Sequence, residues 1–358
     1  MKVSFIGKSG LLKRIFILAG ILLLTGCSSA SSSVTGGYSG MDYLKAGDYS
    51  TAVRVYETAI SEDKSLSSQE DNYRGLGIAL MGQGKYEEAA EALETSLGNS
   101  GPIPSEKEFD INYYLGTCYF KLGQYDKALA VYDAIVTLRP RDAYAKVCRG
   151  YVKAAMGDAD GMDEDFRKAI EQDPTNYEQI VSIYQKMEEY GYAEQGKKYL
   201  TQILSQQSSS MDDYSRGLLS FYAGDYTAAK TALEKSSGRN NFATVIMLGK
   251  TYEALGDFNY ANSVYEAYLA RDKSHPEVYN QLGLCLIQRG DYQGALEAFE
   301  AGLEMGGGAI TQSLLFNQIV AYEYLEEYQK ANVLMREYLE KYPGDLNAKR
   351  EAVFLQSR

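Results

Sequence analysis

The sequence predicts an all-α solenoid of about nine helical hairpins in one array, followed by a capping helix. Three observations carry that expectation. From about residue 38 a single pattern recurs: Gly, six residues, Gly, often Asp, then Tyr or Phe, two residues, Ala, three residues and a large apolar side chain. The anchors of successive copies, from Gly47 to Glu326, lie 37, 39, 34, 34, 33, 32, 34 and 36 residues apart, a period that one globular core has no reason to produce. The six prolines all fall between the proposed hairpins, and no segment alternates with the two-residue period of a strand.

Each element then follows from local chemistry. The second glycine of a copy, from Gly47 and Gly84 through Gly123, Gly157, Gly191, Gly224 and Gly256 to Gly290, suits the left-handed residue that ends one helix. Asp48, Asp158, Asp225, Asp257 and Asp291, directly after it, suit the N-cap of the next helix. The first glycine, as in Gly77, Gly116, Gly150, Gly217, Gly249 and Gly283, sits inside a helix at a cost of roughly 1 kcal/mol relative to Ala. That cost makes sense only where another helix packs closely against it. Ala and the large residue four positions later, such as Ala52 with Tyr56 or Ala295 with Phe299, share one face of the second helix.

The clearest copy runs Leu115-Gly116, Gly123-Gln124-Tyr125, Ala128, Tyr132 and Pro140. The pattern resembles the tetratricopeptide repeat family over residues 38–344. The resemblance implies a right-handed superhelical solenoid in which the first helix of each pair lines a concave surface. Residues 345–358 are expected to form the capping helix. Two copies depart from the pattern. In the fifth, Tyr184 replaces the first glycine, Ala193 the aromatic residue and Gly196 the alanine; in the fourth, Ala159 and Met162 occupy the last two places. These departures predict a bend or a weaker middle.

The amino terminus reads as an address. Lys2, Lys8, Lys13 and Arg14 precede an apolar run over 15–24, too short to span a bilayer, so residues 1–26 are expected to be a secretory signal peptide. Leu24-Thr25-Gly26-Cys27 resembles the lipobox of bacterial lipoproteins. That resemblance implies that Cys27 carries a diacylglycerol and becomes the first mature residue, and two acyl chains hold a protein stably on a membrane. Residues 27–37, rich in Ser and Gly, then form a flexible tether. The expected location is extracytoplasmic, lipid-anchored to a bacterial membrane.

Composition narrows the chemistry. The 358 residues carry 36 Lys and Arg against 48 Asp and Glu, a net charge of −12. Removing residues 1–26 takes away four cations and no anion, so −12 becomes −16. This balance argues against nucleic acid, whose phosphates need clustered cations. His275 is the single His, which leaves little for a zinc-hydrolase pattern or a Ser-His-Asp triad. Cys118 and Cys285 each stand two residues past a helix-interior glycine and read as small packing residues, while a Cys118–Cys148 disulfide between neighbouring repeats stays open. Asp158, Asp160, Asp163 and Asp165 crowd together, but Gly161 at the fourth place and Ala169 at the twelfth do not fit a calcium loop. Gly82-Gln83-Gly84-Lys85 lacks both the leading glycine and the following Ser or Thr of a phosphate loop. No enzyme activity, cofactor or metal is expected.

A partner surface is expected instead. Residues three before, one after and four after the first glycine share the face that the family resemblance places in the groove. The candidate binding residues are Arg74, Ile78, Met81, Tyr113, Phe120, Tyr151, Tyr214, Leu218 and Phe221, with Tyr222 adjacent. Some family members clamp a terminal carboxylate with Lys followed four residues later by Asn, a pair missing from all nine copies. An apolar, aromatic face suits a peptide segment, helical or extended. The sequence therefore predicts a membrane-anchored extracytoplasmic scaffold or adaptor that holds another envelope or secreted protein or peptide near the membrane. The alternative is a solute-binding lipoprotein for a glycan or peptide ligand.

Overall fold

The computed structural model describes residues 39–100, 105–206, 210–236, 241–306 and 310–358; the signal segment, Cys27 and the tether lie outside them. Helices are the only regular elements among the described residues. They are α1 (Gly40–Lys45), α2 (Tyr49–Glu62), α3 (Leu66–Gly82), α4 (Tyr86–Gly98), α5 (Glu106–Lys121), α6 (Tyr125–Leu138), α7 (Ala143–Met156), α8 (Ala159–Gln172), α9 (Tyr177–Glu189) and α10 (Ala193–Gln206). There follow α11 (Asp213–Ala223), α12 (Tyr226–Lys235), α13 (Phe242–Ala254), α14 (Phe258–Leu269), α15 (Pro276–Arg289), α16 (Tyr292–Glu304), α17 (Ile310–Tyr324), α18 (Tyr328–Lys341) and α19 (Leu346–Leu355). Odd and even helices from α1 to α18 pair as nine hairpins, and α19 is the cap.

The turn inside every hairpin is built as its chemistry requires. All nine anchor residues are left-handed: the eight glycines at φ between 70° and 90°, and Glu326 at φ 62°. Glu326 bears a Cβ, so the ninth turn is strained by about 1–2 kcal/mol relative to its glycine counterparts. Each predicted Asp caps the following helix through its carboxylate, accepting the N–H of Thr51, Gly161, Ala228, Tyr260 or Gly294 at 2.9–3.1 Å.

The helix-interior glycines are sites of close approach. A Cβ at Gly116 would lie 2.6 Å from the Tyr132 ring, and one at Gly77 would lie 2.6 Å from Leu93 Cγ. The same relation links Gly40 to Tyr56, Gly150 to Phe166, Gly249 to Tyr265 and Gly283 to Phe299. In the fifth hairpin the sizes are exchanged, not lost. Tyr184 fills the first helix, Gly196 faces it from the second, and Leu200 and Met187 are wholly buried beside them. The fourth hairpin buries Met162 completely in the alanine position. The departures therefore leave no gap in the middle of the array.

The first helices of successive hairpins touch one another (α1 with α3, α7 with α9, α9 with α11, and on to α15 with α17) more than the second helices do. The array consequently curves with its odd helices inside. Ala348, Ala352 and Leu355 seal the last hairpin from the cap. Cys118, Cys148 and Cys285 are buried free thiols, so the Cys118–Cys148 disulfide is not formed. Each thiol is absorbed by packing; that of Cys148 sits against the hydroxyls of Tyr144 and Tyr132.

Candidate concave interaction surface

The ten candidate groove residues divide into three groups. Ile78, Met81 and Leu218 are buried between helices and belong to the core, which removes them from a binding surface. Spacing from the first glycine does not separate the groups, since Tyr151 stands at the same place as Ile78 and Leu218, and Phe120 at the same place as Met81. Phe120, Tyr214 and Phe221 are half-buried, with ring surface left over. Phe120 packs on Tyr125 and Phe221 on Tyr226, with centroids 5.7 and 5.4 Å apart, so each ring is fixed by the aromatic residue that opens the next helix.

The remaining four are half-buried staples between repeats. Arg74 donates through Nε to Asp110 Oδ2 at 2.8 Å, joining the second hairpin to the third. Tyr113 donates its hydroxyl to Asp142 Oδ2 at 2.7 Å, joining the third to the fourth. Tyr151 and Ser182 share a hydroxyl contact at 2.8 Å, and Gln185 Nε2 donates to the Tyr222 hydroxyl at 2.9 Å. Burial raises the Tyr222 phenol to about 12 and pushes up that of Tyr113, which also loses by surrendering the proton it gives Asp142. These phenols stay protonated at physiological pH and act as donors and apolar rings.

Two cations on the same face escaped the sequence reading. The Lys186 ammonium lies 5.8 Å from the Phe120 and Tyr151 ring centroids and 5.7 Å from that of Tyr190, a cation–π cluster drawn from the third, fourth and fifth hairpins. It also pairs with Glu189 at 2.5 Å. Lys121 is exposed nearby, within electrostatic reach of Lys186. Nothing in one repeat signals this cluster, because its members come from three.

The groups weighed for chemistry have structural posts. His275 stands at the N-cap position of α15 without a side-chain cap bond and stacks on Phe242 at 4.4 Å. Of the four crowded aspartates, Asp158 caps α8, and Asp163 accepts from Gln195 Nε2 at 2.6 Å and from the Tyr199 hydroxyl. Asp165, 1% exposed, is gripped by Arg149 Nε at 2.8 Å and Lys153 Nζ at 2.8 Å. Their carboxylates point to separate tasks.

Residues 74–143 and 246–310 match one tetratricopeptide repeat family model, and residues 313–345 match a second. With the hairpin geometry above, that decides the family. The chain is a tetratricopeptide repeat protein. This repeat protein is 21% identical over 263 residues to the BBSome complex member BBS4 of Bos taurus, an alignment covering 73% of the chain and 43% of BBS4. It is 24% identical over 286 residues to the CTR9 homolog of Arabidopsis thaliana, covering 75% of the chain and 23% of that protein. The chain thus spans less than half the length of either curated relative. The crystal structure of yeast Tom70 shares the fold, with a TM-score of 0.50 and 16% identity over 88% of this chain and 80% of that one. A tetratricopeptide array supports a protein–protein interaction scaffold, and repeat proteins of this kind are generally non-enzymatic.

Proposed function

We propose that the protein is a lipid-anchored extracytoplasmic scaffold whose concave face captures an envelope or secreted protein through an apolar, aromatic segment. The observation that carries the reading is a division among the rings. Those that hold a hairpin together, such as Tyr132, Phe166, Tyr265 and Phe299, are buried at 3% exposure or less, while Phe120, Tyr214 and Phe221 keep free surface on the inner helices. Half-buried rings held rigidly by neighbours are an efficient contact surface, since little rotamer entropy remains to be lost on binding. The anchor rests on the basic, apolar and lipobox pattern that ends in Cys27.

Phe120→Ala combined with Phe221→Ala should abolish capture of a native partner in a pull-down from the host, while Tyr113→Phe and Tyr151→Phe, which lose only hydroxyl staples, retain it. Capture that survives loss of both phenylalanines refutes the concave assignment. A partner held by these rings also persists at high salt, whereas one drawn by the acidic surface is released. The anchor is tested separately: Cys27→Ala should eliminate incorporation of labelled fatty acid, and retained labelling refutes it.

A further inference from the structure

The two ends of the array meet. Gly344, in the connection between α18 and α19, donates its backbone N–H to the Gln83 carbonyl in the turn between α3 and α4, at 3.2 Å. A Cβ on Gly84 would lie 2.8 Å from Gly344 Cα, so the two backbones touch without room for a side chain. Gly344 is not left-handed. Its backbone would therefore accept any residue, and what forbids a side chain there is the Gly84 carbonyl across the contact. Gly84 is distinctive in turn: the equivalent turn glycines Gly123, Gly157, Gly191, Gly224, Gly256 and Gly290 face open space. Beside this contact Tyr342 is only 3% exposed, packed in a cluster that takes in Tyr49 from α2.

A polar group beside the contact is left unpaired. Gln83 donates through Nε2 to Ser50 Oγ at 3.1 Å, but its Oε1 is buried without a hydrogen-bond partner. An unpaired buried amide oxygen favours a hydrated, open arrangement, and the Tyr49–Tyr342 packing favours a shut one. In a repeat array, small rotations summed over many hairpins can separate the ends while each hairpin stays intact.

We propose that the array is a coil held shut at a seam between residues 83–84 and 342–345, and that opening this seam admits a macromolecular partner to the concave face. The second half rests on the concave-face reading given above. Nitroxides at Glu87→Cys and Asn347→Cys, in a Cys27→Ser chain whose other thiols are buried, report the seam by pulsed electron resonance. One short distance is expected. Gly344→Gln should shift it to longer values; Gly98→Gln, at a glycine with open space around it, should not. A long, broad distribution in the parent chain overturns the seam, as does a shift caused equally by Gly98→Gln. Should Gly344→Gln lose helicity, Tyr49→Ala tests the same contact.

Gating is read without any partner. In the Cys27→Ser background, Lys121→Cys places a thiol on the inner face, and its rate with a polyethylene-glycol maleimide is compared with its rate with N-ethylmaleimide. The ratio should rise several-fold when Gly344→Gln is added. An unchanged ratio alongside a lengthened distance overturns gating while leaving the seam. Failure of the concave-face reading would appear only in the phenylalanine pull-down.

Discussion

The third and fifth hairpins each seat a tyrosine ring against a glycine, but from opposite helices of the pair. In the third, Gly116 on the first helix receives the Tyr132 ring from the second; in the fifth, Tyr184 on the first helix is received by Gly196 on the second. What the repeat preserves across a helix pair is a small residue against a large one, not a residue at a position, since Gly196 stands at the alanine place and Leu200 still fills the large place beyond it. The fourth hairpin, between them, keeps Gly150 against Phe166 but adds a bridge from Arg149 and Lys153 on its first helix to Asp165 on its second. The flanking hairpins thus combine apolar fit with hydroxyl bonds such as Thr117 to Tyr132 and Tyr184 to Glu188, and the fourth adds a buried carboxylate held by two cations.

The largest effect should come from removing that contact. Asp165→Ala leaves Lys153 half-buried without this partner and Arg149 with Asp133 alone, and since breaking a fully buried pair costs about 3–5 kcal/mol, a loss toward the lower end of that range is expected. Because a repeat array need not unfold as one unit, hydrogen exchange is the right measurement. Protection should fall in α7 and α8 and change little in α5 and α6; a uniform loss would mean that the middle carries no separate burden. Next in size, Gly116→Ala forces a methyl into the Tyr132 ring, an overpacking cost of about 1–3 kcal/mol that exceeds the helix-propensity gain of about 1 kcal/mol. Gly98→Ala, with nothing around it, should show the opposite sign in the same thermal melt.

The exchange of sizes in the fifth hairpin can be measured directly. Gly196→Ala should destabilise the parent chain, because its Cβ would lie 3.0 Å from Tyr184 Cδ2 and 3.4 Å from Met187. In a Tyr184→Ala background the same change should be neutral or stabilising, giving a coupling of about 1 kcal/mol in a double-mutant cycle. Additivity would show that the two sites are unrelated and the fifth hairpin merely irregular.

What was legible in the sequence was what one repeat decides for itself: the left-handed turn residues, the Asp caps, and the pairing of small with large inside a hairpin. Each follows from residues close together in the chain. The inner-face staples were not legible, because Tyr113 reaches Asp142 and Arg74 reaches Asp110 only once the stacking rotation between hairpins is fixed. Ile78, Met81 and Leu218 were placed in the groove by spacing alone, yet they are buried in the core. The meeting of Gly84 with Gly344 is further removed still, since it sums the rotations of the whole array. Contacts whose partners lie a full repeat away need the superhelix as well as the hairpin.

The smallest effect concerns a place where the third hairpin is chemically poorer than five of its relatives. Gln124 occupies the N-cap of α6 but makes no side-chain cap bond, and its Oε1 is buried without a partner. In five other hairpins an Asp at this position accepts the N–H three residues on. Gln124→Asp should therefore accept from the Lys127 N–H, oppose the positive end of the α6 dipole and remove the stranded amide oxygen. A gain of about 1 kcal/mol is expected, read as a higher melting temperature and slower exchange at the start of α6. Asp225→Ala should cost about the same at the start of α12. If the gain fails while that loss appears, the third turn holds its backbone at an angle an Asp cannot cap, and the equivalence of the nine turns ends at their φ angles.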